Sequence, residues 1–346
     1  MTASRVESRK ASEIDIGEVS WCWTDRIPFG TVSLVVGAAK TGKSTLASWL
    51  TAELITTTVS TGTIHLCLSE DPAETVTRPR LGAAGVPTKD LTRVYVREQA
   101  WRFPRDLELF GREMQGTGVR LAVLDPVDNI FQQISAVQLA DSLDPLTQLA
   151  RDNGMAIILV GHFNKAGTTL ETAIAGSRRL TGASRSTLIF GYEPGGGGDL
   201  VLAHHHSSFG EPSPSLLFKR ETRPHPHSPN VSVPVMSLVG ECDWTAEQVF
   251  SEHRKASTGG TPGSATKLAQ AKAAILRFLL YAHAESGLSA AELQDAVTAI
   301  GLSVETFNAA RSELAKEGLI EHFQTQVEGH GQHRWRLVKL DVPDSL

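Results

Sequence analysis

Val32-Ser33-Leu34-Val35-Val36, Gly37-Ala38-Ala39-Lys40-Thr41-Gly42-Lys43-Ser44 and Thr45-Leu46-Ala47 follow one another without a break. They read as a buried apolar strand, a loop of the form G-x-x-x-x-G-K-S and the start of a helix. Such a loop wraps a polyphosphate closely. Gly37 and Gly42 are expected where a Cβ would clash or where φ must be positive. Successive main-chain N–H groups would then face the phosphates at a helix N-terminus, which favours anions. Lys43 can reach the β- and γ-phosphates, and the Ser44 hydroxyl can join the shell of a Mg²⁺ ion. The span from Gly37 to Thr45 is therefore the candidate nucleotide site, with ATP and Mg²⁺ as its expected occupants.

Working outward, further strands close on polar residues. Thr63-Ile64-His65-Leu66-Cys67-Leu68 ends at Ser69-Glu70-Asp71-Pro72. Carboxylates at the C-terminal edge of a parallel strand face the ligand crevice of an open α/β sheet. Glu70 is the candidate for orienting or deprotonating an attacking water. Asp71 could instead cap the next helix, with Pro72 at its first position. Leu121-Ala122-Val123-Leu124 closes on Asp125, whose carboxylate would hold a Mg²⁺-bound water or contact Ser44. Met155-Ala156-Ile157-Ile158-Leu159-Val160 closes on Gly161-His162-Phe163-Asn164-Lys165, where His162 and Asn164 could register a γ-phosphate. A histidine bonded to a neighbouring loop fits His162 equally well.

Helices are expected near residues 43–57, 75–85, 105–116 and 139–152, with a short strand near 93–96. Trp21, Cys22 and Trp23 could pack under a nucleotide or lid the sheet edge. Residues 166–182 read as a mobile loop with a short helix carrying Arg178 and Arg179. Strands follow near 186–191 and 200–203, joined by a tip at 195–198. His204-His205-His206 lacks the spacing of a defined metal site and reads as a solvated strand end. Residues 215–223 read as a last strand ending in Lys219, Arg220 and Arg223, which could reach a neighbouring subunit's nucleotide. Residues 231–244 could add an edge strand, and 251–266 is a linker by composition.

The remainder predicts three helices and a hairpin. Ser289-Ala290-Ala291-Glu292 is a capping box. Ser303 caps a third helix with Phe307, Ala310 and Leu314 at core spacing, and Gly318 stops it. Two strands then flank a turn at 329–331. This is a winged-helix order, whose third helix would enter a major groove. Arg311, Lys316, Arg334, Arg336 and Lys339 are the basic groups placed for that. Acidic residues balance basic ones across 267–340, so DNA binding and protein docking stay open for this module.

Composition narrows the class. A net charge of −5 over 346 residues does not mark the whole chain as a polyanion binder. Cys22, Cys67 and Cys242 show no C-x-x-C spacing and read as free thiols of a reducing cytoplasm. Arg5, Arg9 and Lys10 are followed by no apolar core, so neither a signal peptide nor a membrane span is expected.

The ordered set of Gly37 to Ser44, Ser69-Glu70-Asp71, Leu121 to Asp125 and Val160-Gly161-His162 resembles the RecA-like ATPases. Within them it is most similar to the RepA-type hexameric replicative helicases of plasmids and phages and their AAA-family relatives. The resemblance covers roughly residues 21–223. It implies an α/β fold: a RecA-like core with a mostly parallel central sheet flanked by helices, here with a small C-terminal winged-helix domain. Together with the composition, the resemblance divides the sequence into a flexible segment at 1–20, an ATPase domain at 21–250, a linker at 251–266, a winged-helix domain at 267–340, which is an addition to the RepA plan, and a tail at 341–346. It also implies a homo-oligomeric ring with ATP between subunits, single-stranded DNA as partner, and loops facing DNA after Asp125 and His162. It implies Glu70 as the catalytic carboxylate and trans-acting basic residues among Lys219, Arg220 and Arg223, which join Lys43 and His162 as the candidate catalytic groups. Asp125 and Ser44 are the implied Mg²⁺ residues. Ring helicases of the DnaB type carry K-x-R at that strand end, whereas here the order is Lys219-Arg220-Glu221, with Arg223 later.

Overall fold

The computed structural model describes residues 10–132, 136–164, 167–174, 178–194, 198–257, 267–281, 287–299, 301–327 and 330–338. Lys165, Lys339, the tip at 195–197 and residues 258–266 lie outside these, as do the side chains of Arg178, Arg179 and Leu280.

In chain order, β1 (Trp21–Trp23) and β2 (Ile27–Pro28) form a small antiparallel pair. Then come β3 (Thr31–Gly37), α1 (Lys43–Ile55), β4 (Thr63–Leu68), α2 (Arg78–Ala83) and β5 (Val94–Arg97). They are followed by α3 (Leu107–Thr117), β6 (Val119–Asp125), α4 (Val127–Ile130), α5 (Ala136–Asp152) and β7 (Ala156–His162). Two short helices, α6 (Leu170–Ile174) and α7 (Arg178–Ala183), precede β8 (Ser186–Tyr192), β9 (Leu200–Ser207), β10 (Ser215–His225) and β11 (Ser228–Cys242). The chain continues through α8 (Ala246–Ser257), α9 (Lys267–Tyr281), β12 (Leu288–Ser289), α10 (Ala290–Ala299), α11 (Val304–Lys316), β13 (Ile320–Val327) and β14 (His330–Leu337).

The main sheet has the order β11-β10-β9-β8-β3-β7-β6-β4-β5. Its β3, β7, β6, β4 and β5 run parallel. Their side chains are buried almost continuously, as a parallel sheet covered on both faces requires. The fold is thus α/β with a mostly parallel central sheet flanked by helices, as expected. Within it, β7 lies between β3, which leads into the 37–44 loop, and β6, which ends on Asp125.

Two compact units divide the chain. The first comprises Met1–Leu188, His204–Pro214 and Glu221–Met236; the second comprises Ile189–Ala203, Ser215–Arg220 and Ser237–Leu346. In the first, α1 is buried on nearly every side, so it is a core helix rather than an amphipathic surface one. Trp23 packs edge-on against Trp49 of α1 at 5.8 Å, and the Arg26 guanidinium lies over the Trp23 ring.

Several expectations are corrected. The Pro-, Ser- and His-rich stretch after Arg223 forms the end of β10 and the turn into β11, so β10 is not the last strand. The expected linker is helical from 251 to 257, where α8 carries it. His204 lies inside β9 and is buried, bonded to Ser186 Oγ at 3.1 Å and accepting from the Ser213 N–H at 3.0 Å. It is not part of a solvated strand end.

The C-terminal elements of the second unit fold around their own core. Ala271, Ile275 and Leu279 of α9 meet Leu293 and Val297 of α10, and Phe307, Ala310 and Leu314 of α11. The capping box forms as expected: the Glu292 N–H donates to Ser289 Oγ at 3.2 Å, and the Ser289 N–H to Glu292 Oε2 at 2.7 Å. Ser303 accepts from the Thr306 N–H at 3.3 Å. The hairpin gains a third strand, in the order β12-β14-β13. Phe307 is fully buried, so Phe307→Ala is expected to cost about 3–5 kcal/mol. Urea unfolding of the full chain measures this, and an unchanged transition would contradict the assigned core.

Candidate functional site

The parallel register brings one row of residues to the C-terminal edge of the sheet. Gly37 at the end of β3 lies opposite His162 at the end of β7. Asp125 at the end of β6 lies opposite Leu68 of β4, one residue before Ser69 and two before Glu70. That edge is where open α/β sheets bind ligands.

The loop leaving β3 turns through two left-handed positions. Gly42 has φ 95°, where glycine is at ease, and Lys40 has φ 65°, which few side chains adopt. Gly37 does not share this conformation; it is part of the strand, so the positive φ falls on Gly42. Gly42 is also the N-cap of α1 and offers no side-chain cap. The first-turn N–H groups of this 13-residue helix therefore have no side-chain acceptor at the cap, and an anion meets that need. Thr41 Oγ1 closes the loop from within by donating to the Ala38 carbonyl at 2.9 Å.

Lys43 is 6 % exposed. Its ammonium donates to the Gly37 carbonyl at 3.0 Å and the Ala38 carbonyl at 2.7 Å, and lies 3.1 Å from His162 Nδ1. Burial pushes its pKa down to about 8, against the pull of the Asp125, Glu70 and Asp128 carboxylates. Ser44 Oγ donates to Asp125 Oδ2 at 2.9 Å. Burial raises the Asp125 carboxyl to about 6, opposed by the Ser44 hydrogen bond and by Lys43. Burial also lowers His162, and the Lys43 charge adds to this.

Lys43, Ser44, Glu70, Asp125 and His162 therefore form one electrostatically connected group. Glu70 is exposed in the turn after β4, with Lys43, Asp125 and His162 all within its field. Asp71 does not cap the next helix. It pairs with Arg80 at 2.6 Å, and the cap contact at Ala73 N–H comes from Glu98 Oε1 at 2.7 Å. Pro72 is the N-cap of that turn rather than its first residue.

Two contributors have no counterpart in the reading of the sequence. Asp128, in the first turn of α4, acts on both Lys43 and His162. A carboxylate three residues after Asp125 is the signal that could have found it. Asn129 Nδ2 donates to Ser69 Oγ at 3.2 Å, and the Ser69 N–H donates to the Asp125 carbonyl at 3.0 Å, tying the two carboxylate-bearing turns together. Of the candidate trans-acting bases, Arg223 pairs with Glu221 at 2.7 Å, while Lys219 and Arg220 belong to the second unit and are exposed on β10.

The donor set suits a small hard cation. A buried carboxylate and a hydroxyl 2.9 Å apart offer oxygen ligands beside a phosphate-shaped loop, which fits Mg²⁺ better than a softer metal. Holding Asp125 ionised without a cation is costly. Asp125→Asn is therefore expected to raise the thermal midpoint of the nucleotide-free protein by a few degrees while abolishing the added stabilisation by Mg²⁺ with ATP. A melt that drops in the nucleotide-free variant would contradict this.

The class defined by this fold and site is an α/β phosphate-loop domain, with the loop strand and the aspartate strand flanking a third. Residues 3–168, just under half of the chain, match the family described as an AAA domain. Among solved structures, the chain is similar to the crystal structure of the RadB recombinase at 16 % identity, covering 56 % of this chain and 88 % of that one with a TM-score of 0.43. A likeness this loose says nothing about activity. No curated protein sequence matches the chain. No helix among the described residues is long and apolar enough to cross a membrane.

Proposed function

We propose that this protein binds ATP with Mg²⁺ at residues 37–45 and hydrolyses it to ADP and phosphate. The observation that carries this reading is the 2.9 Å contact between Ser44 Oγ and Asp125 Oδ2, with Lys43 and Glu70 at the same sheet edge. The main-chain N–H groups of 37–44 cradle the phosphates, and Lys43 donates to their outer oxygens. Ser44 and Asp125 would hold the cation, Asp125 through water. Mg²⁺ held there would supply positive charge against the charge developing on the phosphate oxygens. Glu70 orients the attacking water and takes its proton. His162 senses the outermost phosphate from the end of β7.

The work done with that energy is on DNA. The protein is read as a DNA-dependent ATPase of the RepA-type helicase group, assembled with itself as a ring, serving replication of a plasmid, phage or other mobile element. Lys219, Arg220 or Arg223 would supply charge to a neighbour's nucleotide, and the loops after Asp125 and His162 would follow a single strand. The elements α9, β12, α10, α11, β13 and β14 support a winged helix by their order. In the decisive assay, single-stranded DNA accelerates phosphate release by the wild-type protein. Equal rates with and without DNA would reject the motor.

A second reading has its own observation. Arg311 lies over Phe307 and Trp335, Arg334 donates to the Gly287 carbonyl, and Arg336 pairs with Glu321 across the hairpin at 2.7 Å. Basic groups engaged this way are less available to phosphates, which favours an ATP-gated switch that docks a protein partner through this module. A recombinase-like filament without helicase activity is a third form of the same ATPase.

A further inference from the structure

An ammonium group carries three protons and accepts nothing. Lys43 has three acceptors around it: the Gly37 carbonyl at 3.0 Å, the Ala38 carbonyl at 2.7 Å and His162 Nδ1 at 3.1 Å. Every donor that would serve a phosphate is thus already committed to the loop's own rim and to the neighbouring strand. A charged ammonium donates, so Nδ1 presents its lone pair and the ring proton sits on Nε2. Burial and the Lys43 charge both keep the ring neutral, against the opposing pull of Asp128, Glu70 and the Gly37 carbonyl.

The strand end that carries the ring is held in place. His162 is registered opposite Gly37 across the β3–β7 ladder. At Gly161, a Cβ would come within 3.3 Å of Val127 Cγ1, so the strand end is packed closely by the start of α4. Two residues beyond His162, the Asn164 N–H donates to the Ala173 carbonyl of α6 at 2.8 Å. The acceptor that Lys43 finds on β7 is therefore fixed by the sheet and is joined to the helix beyond it.

We propose that His162 is a positioning residue that latches Lys43 against an incoming phosphate. Its Nδ1 holds the ammonium back on the loop, and an arriving nucleotide binds only as Lys43 leaves it. The latch rests on reading 37–44 as a phosphate loop and goes further: the same histidine that could sense a γ-phosphate opposes the binding of any phosphate at all. Occupancy is then reported to β7 and α6 by the loss of one hydrogen bond, before hydrolysis begins.

ADP separates the latch from the sensor, because its β-phosphate needs Lys43 and it has no γ-phosphate. His162→Ala removes the third acceptor and is expected to bind ADP about tenfold more tightly, the size of one charge-assisted hydrogen bond. His162→Asn, whose Oδ1 can stand where Nδ1 stood, is expected to return the affinity towards wild type. Unchanged or weaker ADP binding by His162→Ala overturns the latch and leaves the phosphate loop intact. Failure of the wild-type protein to bind either ADP or ATP takes down both. A second readout needs no variant. In ¹⁵N spectra of the wild-type protein, His162 Nδ1 is expected to be unprotonated and hydrogen-bonded, and to shift on saturation with ADP. A resonance that does not move overturns the latch.

Discussion

Glu70→Gln is expected to leave ATP binding intact and to lower turnover by about 10²–10⁴-fold, the range a positioned general base contributes. The substitution keeps the shape of the side chain and removes its charge and basicity. Glu70 is exposed in the turn after β4, so the change disturbs no core packing. Its carboxylate acts on Lys43, Asp125 and His162, which places it near the group that would surround the terminal phosphate. Single-turnover phosphate release, run beside equilibrium binding of ATP, separates the two effects. Wild-type turnover in the variant would show that another group handles the water, and Asp128 would then be the next carboxylate to substitute.

Lys43→Ala has the largest expected effect on binding and chemistry together. Removing one preorganised donor to a developing phosphate charge costs about 10²–10³ in rate, and the ground-state contact is lost as well. The nucleotide-free fold should not suffer in proportion. Lys43 is a buried cation whose pKa is already pressed down to about 8 by burial. The unfolded chain holds its proton more strongly than the folded one, so the wild-type protein gains stability as pH rises from about 8 towards the ordinary lysine value of 10.5. That gain should vanish in Lys43→Ala. Thermal melts across this window, compared between the two proteins without nucleotide, measure it.

How much of this arrangement is legible in the residues alone depends on how local its causes are. The phosphate loop is legible because Gly42, Lys43 and Ser44 act within a few residues of one another, after an apolar strand and before a helix. Asp125 is legible because four apolar residues closing on a carboxylate mark a buried strand end. The caps at Ser289 and Ser303 are local in the same way. Asp71 misleads because its rival for Ala73 is Glu98, far along the chain, and because Arg80 claims its carboxylate. The left-handed Lys40 carries no residue-type signal at all. The strand near 231–244 is legible as β11, but the end of β10 is hidden because Pro224, His225, Pro226 and His227 read as loop chemistry, while ladder pairing with neighbouring strands decides the matter. His204 looks solvated in a run of three histidines, and only the folded sheet puts Ser186 and Ser213 around it. The contact of Lys43 with His162 joins residues 119 positions apart and comes only from the register of β3 with β7.

The central claim is that one Mg²⁺–ATP is held between the 37–44 loop and Asp125. Calorimetric titration of Mg²⁺–ATP into the wild-type protein, repeated with Lys43→Ala, tests it most directly. The account predicts one nucleotide per chain for the wild type and binding severely weakened in the variant. No binding by the wild-type protein, or equal affinity in the variant, would contradict it.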